Sequence, residues 1–194
     1  MSGASSGPAE LRIKPLNHEL DPRIGDVYLS AEDIRSRVGE LGAAIAADYE
    51  GREPILVASL RTAIVFVADL SRALPIAHNL DFVALAAYEG NGGGGGRVRF
   101  LKDLSLNIKG RDVVLVEDVV DTGMTLNFVV KTLGLREPRS LAAVALLDRP
   151  YRRLVEDLPV RYVGFTVPDE FFVGYGFDLG GRWRNLPELR LVNL

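Results

Sequence analysis

The sequence predicts an α/β fold, a parallel sheet flanked by helices, on three observations. Short apolar, β-branched runs recur at residues 55–59, 113–117 and 141–147. Segments with apolar residues at helical spacing lie between them. Polar segments that carry chemistry follow directly on strand ends, where doubly wound sheets place their ligands. With 194 residues, 47% of them hydrophobic and 25% charged, the chain is long enough for one core, and a single domain is expected over residues 16–194.

Each element has its own warrant. Residues 1–10 are small and Ser/Gly-rich and lack the apolar stretch of a signal peptide, so a disordered tail is expected over residues 1–15. Ser30 is an N-cap type with Asp33 in the first turn. Ile34, Val38, Leu41, Ile45 and Tyr49 then form one apolar stripe, and Gly51 closes the helix. A buried strand at 55–59 leads to a helix over 63–74 and a strand over 81–87. In residues 88–99, Asn91 precedes five glycines, Gly92 to Gly96, a run too free in backbone to hold a regular element. A strand at 113–117, a helix at 126–133 stopped by Gly134, and a strand at 141–147 make a βαβ unit. Residues 162–166 form a further strand.

Composition excludes several classes. A net charge of −3 and a pI near 5.5 give no nucleic-acid surface. The absence of cysteine removes disulfides and thiolate metal sites. No uninterrupted apolar run is long enough to span a bilayer, and a cytoplasmic protein is expected. The two histidines, His18 and His78, fall in no motif.

The most informative stretch is residues 113–125, Val-Val-Leu-Val-Glu-Asp-Val-Val-Asp-Thr-Gly-Met-Thr. Its apolar start fits a buried strand. Asp121, Thr122, Gly123 and Thr125 are turn and cap types, and Gly123 permits a close backbone approach. A strand, a polar loop and a helix start gather free N–H groups about one point, with the Thr122 and Thr125 hydroxyls as added donors; this is an anion site. The Walker pattern is absent. Glu117 and Asp118, at the strand end, can hold vicinal sugar hydroxyls or a metal.

This string resembles the signature that binds 5-phosphoribosyl 1-pyrophosphate (PRPP) in type I phosphoribosyltransferases, in the form of the hypoxanthine-guanine branch. The likeness runs from about residue 20 to the C-terminus. It implies a core of about residues 30–166 and a hood formed by about 167–194 with the N-terminal segment. It implies that residues Asp121, Thr122, Gly123, Met124 and Thr125 hold the 5′-phosphate, and that Glu117 and Asp118 hold the ribose hydroxyls and Mg²⁺. Leu60, Arg61 and Thr62 match a pyrophosphate loop that usually reads Leu-Lys-Gly and carries a non-proline cis peptide, here at Leu60–Arg61. Ala87-Tyr88 stands where the family commonly has Ser-Tyr, at the start of a long lid. Arg149 replaces the Lys that donates to purine O6 and N7. Phe171 matches the residue that stacks on the purine, and Phe172 the one whose backbone reads the base edge. Val119 and Phe177 would pack around the ring. Asp178 matches an acid that helps to hold a second Mg²⁺ through water, and Arg184 a pyrophosphate-binding Arg. Asp121 falls where the family has a carboxylate near purine N7, a general base.

The implied reaction joins PRPP to N9 of hypoxanthine or guanine with release of pyrophosphate, in a homodimer or homotetramer. Two other readings stay open. Arg149, Arg61-Thr62, Phe172 and Phe177 would suit the same reaction on a modified or 7-deazapurine, which lacks the N7 acceptor. A non-catalytic nucleotide sensor would use the same fold, against the retained Glu117, Asp118, Asp121, Asp178 and Arg184.

Overall fold

The computed structural model describes residues 20–88 and 97–193. The expected tail and the glycine run Gly92 to Gly96 lie outside the described residues. Nine strands and three α-helices are described: β1 (Ile24–Leu29), α1 (Ala31–Asp48), β2 (Ile55–Leu60), α2 (Ile64–Ala73), β3 (Asn79–Tyr88), β4 (Arg97–Lys102), β5 (Asp112–Val120), α3 (Met124–Gly134), β6 (Ser140–Asp148), β7 (Val160–Thr166), β8 (Phe172–Val173) and β9 (Leu189–Val192). No described helix is long and apolar enough to cross a membrane.

The main sheet has the order β4-β3-β2-β5-β6-β7. Every pairing within it is parallel except β3–β4, which is antiparallel. The expected parallel sheet thus gains an antiparallel edge strand, which the sequence did not announce beside the glycine run. A second sheet, β1-β9-β8, joins the start of the described chain to its end. These three strands are short and of mixed polarity, so periodicity did not reveal them.

The central strands are apolar on both faces, and strand alternation sorts their residues into two cores. Leu56 and Ala58 of β2, Val114 and Val116 of β5, and Val144 and Leu146 of β6 pack with α1 and α2. Ile55, Val57, Val113, Leu115, Ala143 and Ala145 pack with α3 on the other face.

Helix α1 starts as the sequence predicts. The Asp33 N–H donates to Ser30 Oγ at 3.1 Å, and the Asp33 carboxylate accepts in return from the Ser30 N–H, closing a capping box. It ends at Asp48, and Gly51 completes the turn beyond it with φ +68°. Helix α3 differs from expectation. It begins two residues early, at Met124, and Gly123 is its N-cap with φ 81° and no side-chain capping bond. Gly134 is the last helical residue and not the terminator.

Leu146 is completely buried where α1 and α2 meet the sheet. Leu146→Ala should lower unfolding free energy by about 2–5 kcal/mol, read from urea denaturation, because packed cores close such cavities only in part.

Candidate functional site

Strand β5 remains apolar and buried on both faces to Val116 and then presents Glu117 and Asp118 in succession. Alternation sends the two carboxylates to opposite faces of the strand end. Glu117 is 6% exposed, and its Oε1 accepts from the Ser59 hydroxyl at 2.8 Å on the neighbouring β2. Burial, with the Asp118 charge added, pushes the Glu117 carboxyl up to about 8. Burial also pushes Asp118 up, to about 6, against the opposing pull of backbone N–H groups, Arg184 and Thr62.

A cleft of about 410 Å³ opens at this strand end. It is lined by Ser59, Leu60 and Thr62 after β2, Leu85 of β3, and the segment from Glu117 through Gly123 with Thr125 and Leu126. The sequence-predicted phosphate residues are therefore gathered at one place, except Met124, Arg61 and Arg184. Met124 is 57% exposed and points away from the cleft lining. Arg61 is exposed and does not line the cleft; its carbonyl accepts from the Ile64 N–H at 3.2 Å, and its side chain makes no hydrogen bond or ion pair with the described residues. The Leu60–Arg61 peptide is cis, where the resemblance placed it.

The loop from Asp121 to Gly123 is shaped by close packing from outside. A Cβ on Gly123 would stand 2.6 Å from the Leu158 side chain, and the residue's φ of +81° is one that side chains rarely adopt. The Leu154 N–H donates to Thr122 O at 2.9 Å, so the segment after β6 braces the loop. The Met124 N–H lies 3.4 Å from Thr122 Oγ1.

The segment after β8 meets the loop after β2 at Gly176. A Cβ on Gly176 would stand 2.3 Å from the Thr62 carbonyl oxygen, and its φ is +100°. Arg184 fastens this junction: its Nη1 donates to Gly176 O at 2.6 Å and to Thr62 Oγ1 at 3.3 Å, and its Nη2 meets Asp178 Oδ1 at 2.5 Å. The other Asp178 oxygen accepts from the Gly181 N–H at 2.7 Å.

Of the residues expected around a base, Val119 lines this cleft and Arg149, Phe171, Phe172 and Phe177 do not. Phe171 is 60% exposed and offers a free ring. Phe172 is buried against Tyr28, ring centroids 5.0 Å apart, while its backbone pairs with Leu191 in the small sheet. Phe177 is half-buried and packs against the larger core. Arg149 turns its fork toward the small-sheet side: Nη2 donates to Glu170 O, Nη1 lies 3.8 Å from Asp169, and the guanidinium stands 5.7 Å from the centre of the Phe172 ring. Its Nε is buried and unbonded.

Asp121 holds an ion pair that the sequence gave no reason to expect. Arg152 Nε stands 3.1 Å from Asp121 Oδ1, and Arg152 Nη1 donates to Asp169 Oδ1 at 2.7 Å. Sequence reasoning missed Arg152, Asp169 and Ser59. The three arginines among residues 149–153, just beyond a strand end, were the one signal for Arg152.

Among the described residues no group of three or more acids and histidines could enclose a metal. Glu117 and Asp118 still suit a hard cation that takes few protein ligands, because these two desolvated neighbours carry more negative charge than Arg184 beside Asp118 offsets.

Comparison with known proteins agrees with this geometry. A family model described as phosphoribosyl transferase domain matches residues 26–178. A hypoxanthine phosphoribosyltransferase of Salmonella typhimurium is 47% identical over 172 residues, 87% of this chain and 96% of the relative. A hypoxanthine-guanine phosphoribosyltransferase of Mycobacterium avium is 42% identical over 169 residues, 84% of this chain and 83% of the relative. Among solved structures, a hypoxanthine-guanine phosphoribosyltransferase of Bacillus anthracis superposes with a TM-score of 0.81 at 40% identity, covering 88% of this chain and 98% of that one.

The raised carboxyls make stability pH-dependent. An acid whose folded pKa lies above its unfolded value stabilises the fold while protonated and loses that contribution on ionising. For Glu117 the contribution is complete below about 4.5 and is lost as pH rises through about 8. In the ligand-free protein, the Tm advantage of Glu117→Gln should therefore grow from about pH 5 to about pH 8. A flat difference across that range contradicts the burial argument.

Proposed function

The chain belongs to the phosphoribosyltransferase family, in its hypoxanthine-guanine branch, and on that premise we propose how its residues divide the work. The enzyme carries out PRPP-dependent phosphoribosyl transfer to a 6-oxopurine base. N9 of the base forms a bond to the anomeric carbon of PRPP, the bond to pyrophosphate breaks, and the product is the nucleoside 5′-monophosphate. The observation that carries the assignment of residues is the cleft lined by Leu60, Thr62, the segment from Glu117 to Gly123, and Thr125.

In this reading the 5′-phosphate lies on residues 121–125. It accepts from backbone N–H groups at the start of α3 and from the Thr122 and Thr125 hydroxyls. Glu117 and Asp118 face the ribose hydroxyls. Mg²⁺ bound by these acids would supply charge screening for the pyrophosphate. The 60–62 loop and Arg184 take the departing pyrophosphate. Arg61, which has no ion pair among the described residues, adds its charge by turning inward. Arg184 turning to that anion would release Asp178, which would then be free to help to hold a second Mg²⁺.

The base would lie on the exposed ring of Phe171, with Val119 and Phe177 beside it. The Phe172 backbone reads its edge. Arg149 would serve the 6-oxo group by leaving Glu170 O, and its buried, unbonded Nε marks a donor without a partner. Asp121 acts as the base, or electrostatic partner, on the N7 side. We place the enzyme in the cytoplasm as a homodimer or homotetramer; a purely monomeric sedimentation profile at assay concentration would overturn the oligomer.

Two measurements test the reading. Pyrophosphate release is followed with PRPP, Mg²⁺ and hypoxanthine, guanine, xanthine, adenine or 7-deazaguanine. Turnover should be confined to 6-oxopurines with N7; preference for the deazapurine would reassign the base. Asp121→Asn should bind PRPP normally and lose about 10²–10⁴-fold in turnover, as expected for a removed general base. Near-normal turnover would remove Asp121 from the chemistry.

A further inference from the structure

The bridge from Asp121 through Arg152 to Asp169 is used by none of the assigned roles. Arg152 ends a short 3-10 turn, Pro150–Arg152, that is fixed on every side. The Arg149 N–H donates to Val120 O at 3.0 Å, the Tyr151 hydroxyl to Val167 O at 2.9 Å, and the Leu154 N–H to Thr122 O at 2.9 Å. The guanidinium thus projects from backbone tied both to the phosphate loop and to the segment leading into the small sheet. Its two acids lie 48 residues apart in sequence and on different elements (169 − 121 = 48).

The pairing contributes little as stability, because Arg152 is 41% exposed and Asp169 is 54% exposed. Its consequence is placement. Asp121 Oδ1 is shut off from solvent and has no aligned hydrogen bond, and Arg152 Nε at 3.1 Å is the cation that accompanies it. With Oδ1 so occupied, Oδ2 is the oxygen left to the cleft. Arg149 Nη1, 3.8 Å from Asp169, and Tyr151 beside it are the other ionisable groups around the bridge.

We propose that Arg152 is a positioning residue, a fork that clamps one oxygen of the Asp121 carboxylate to the Asp169 side of the base site and so presents the other oxygen to the purine. This rests on the reading of Asp121 as the group that acts on the base. A planar fork fixes the directions in which it holds the two acids, and an ammonium on a flexible stem does not. Displacement of a reacting group by about 1 Å costs up to about 10²-fold in rate.

The experiment measures single-turnover rate and KM for PRPP in Arg152→Ala, Arg152→Lys, Asp169→Asn, Asp121→Asn and the Arg152→Ala/Asp121→Asn double variant. Arg152→Ala should lose about 10- to 100-fold in rate with KM for PRPP changed less than about twofold. Arg152→Lys should keep most of that deficit, and Asp169→Asn should lose rate by a smaller factor. In the Asp121→Asn background, Arg152→Ala should cause no further loss. Wild-type rate in Arg152→Lys, or an undiminished loss in the double variant, overturns the clamp, since charge or direct substrate contact would then explain Arg152. Unchanged rate in Arg152→Ala with a crippled Asp121→Asn overturns the clamp alone. Near-normal Asp121→Asn overturns the role of Asp121 and the clamp with it. If Arg152→Ala fails to fold, Asp169→Asn decides: an unchanged rate there removes the bridge.

Discussion

Two carboxylates at the end of a strand buried on both faces set the terms for the rest of the cleft. Strand β5 lies between β2 and β6, and its residues from Asp112 to Glu117 are closed to solvent. Ionised acids in such a place lose hydration that only partners can replace. The surroundings supply part of it. Ser59 reaches Glu117 from the next strand, and Thr62 and Arg184 lean toward Asp118. The deficit that remains is why both groups stay easier to protonate than free acids, and why the site is suited to sugar hydroxyls and a divalent cation. Stability of the empty fold is thereby traded against affinity for its ligands.

The same strand end requires the small sheet. Gly176 presses its backbone onto the Thr62 carbonyl, and Arg184 ties the two together through Gly176 and Thr62. That side of the cleft is therefore built jointly by the loop after β2 and by chain more than a hundred residues later. Arg152 likewise joins the loop that carries Asp121 to Asp169, in the segment ahead of β8.

Much of this was legible in the chain. Apolar runs at 55–59, 113–117 and 141–147 gave the central strands because strands buried on both faces need no alternation and stand out as unbroken blocks. The capping box of α1 was readable because Ser30 and Asp33 act within one turn. Other elements left no local mark. β1, β8 and β9 are short and stabilised by pairing between the two ends of the described chain. β4 adjoins the glycine run and pairs only as an edge strand. Helix α3 began early because the left-handed Gly123 can cap a helix with no side chain, whereas the cap residues read in the sequence were polar ones.

By itself the sequence determined the fold class and the order of strand, polar turn and helix from residue 113 to 134, because both are written in contiguous residues whose spacing dictates local structure. Resemblance in order and spacing also placed the cis peptide at Leu60–Arg61. Only the tertiary structure decided how the side chains are partnered: that Arg149 turns to Glu170, that Asp178 is held by Arg184 and Gly181, and that Asp121 meets Arg152. Those pairings join residues on separate elements, and the direction of a long charged side chain is set by which opposite charge the fold brings within reach, a quantity that no local pattern encodes.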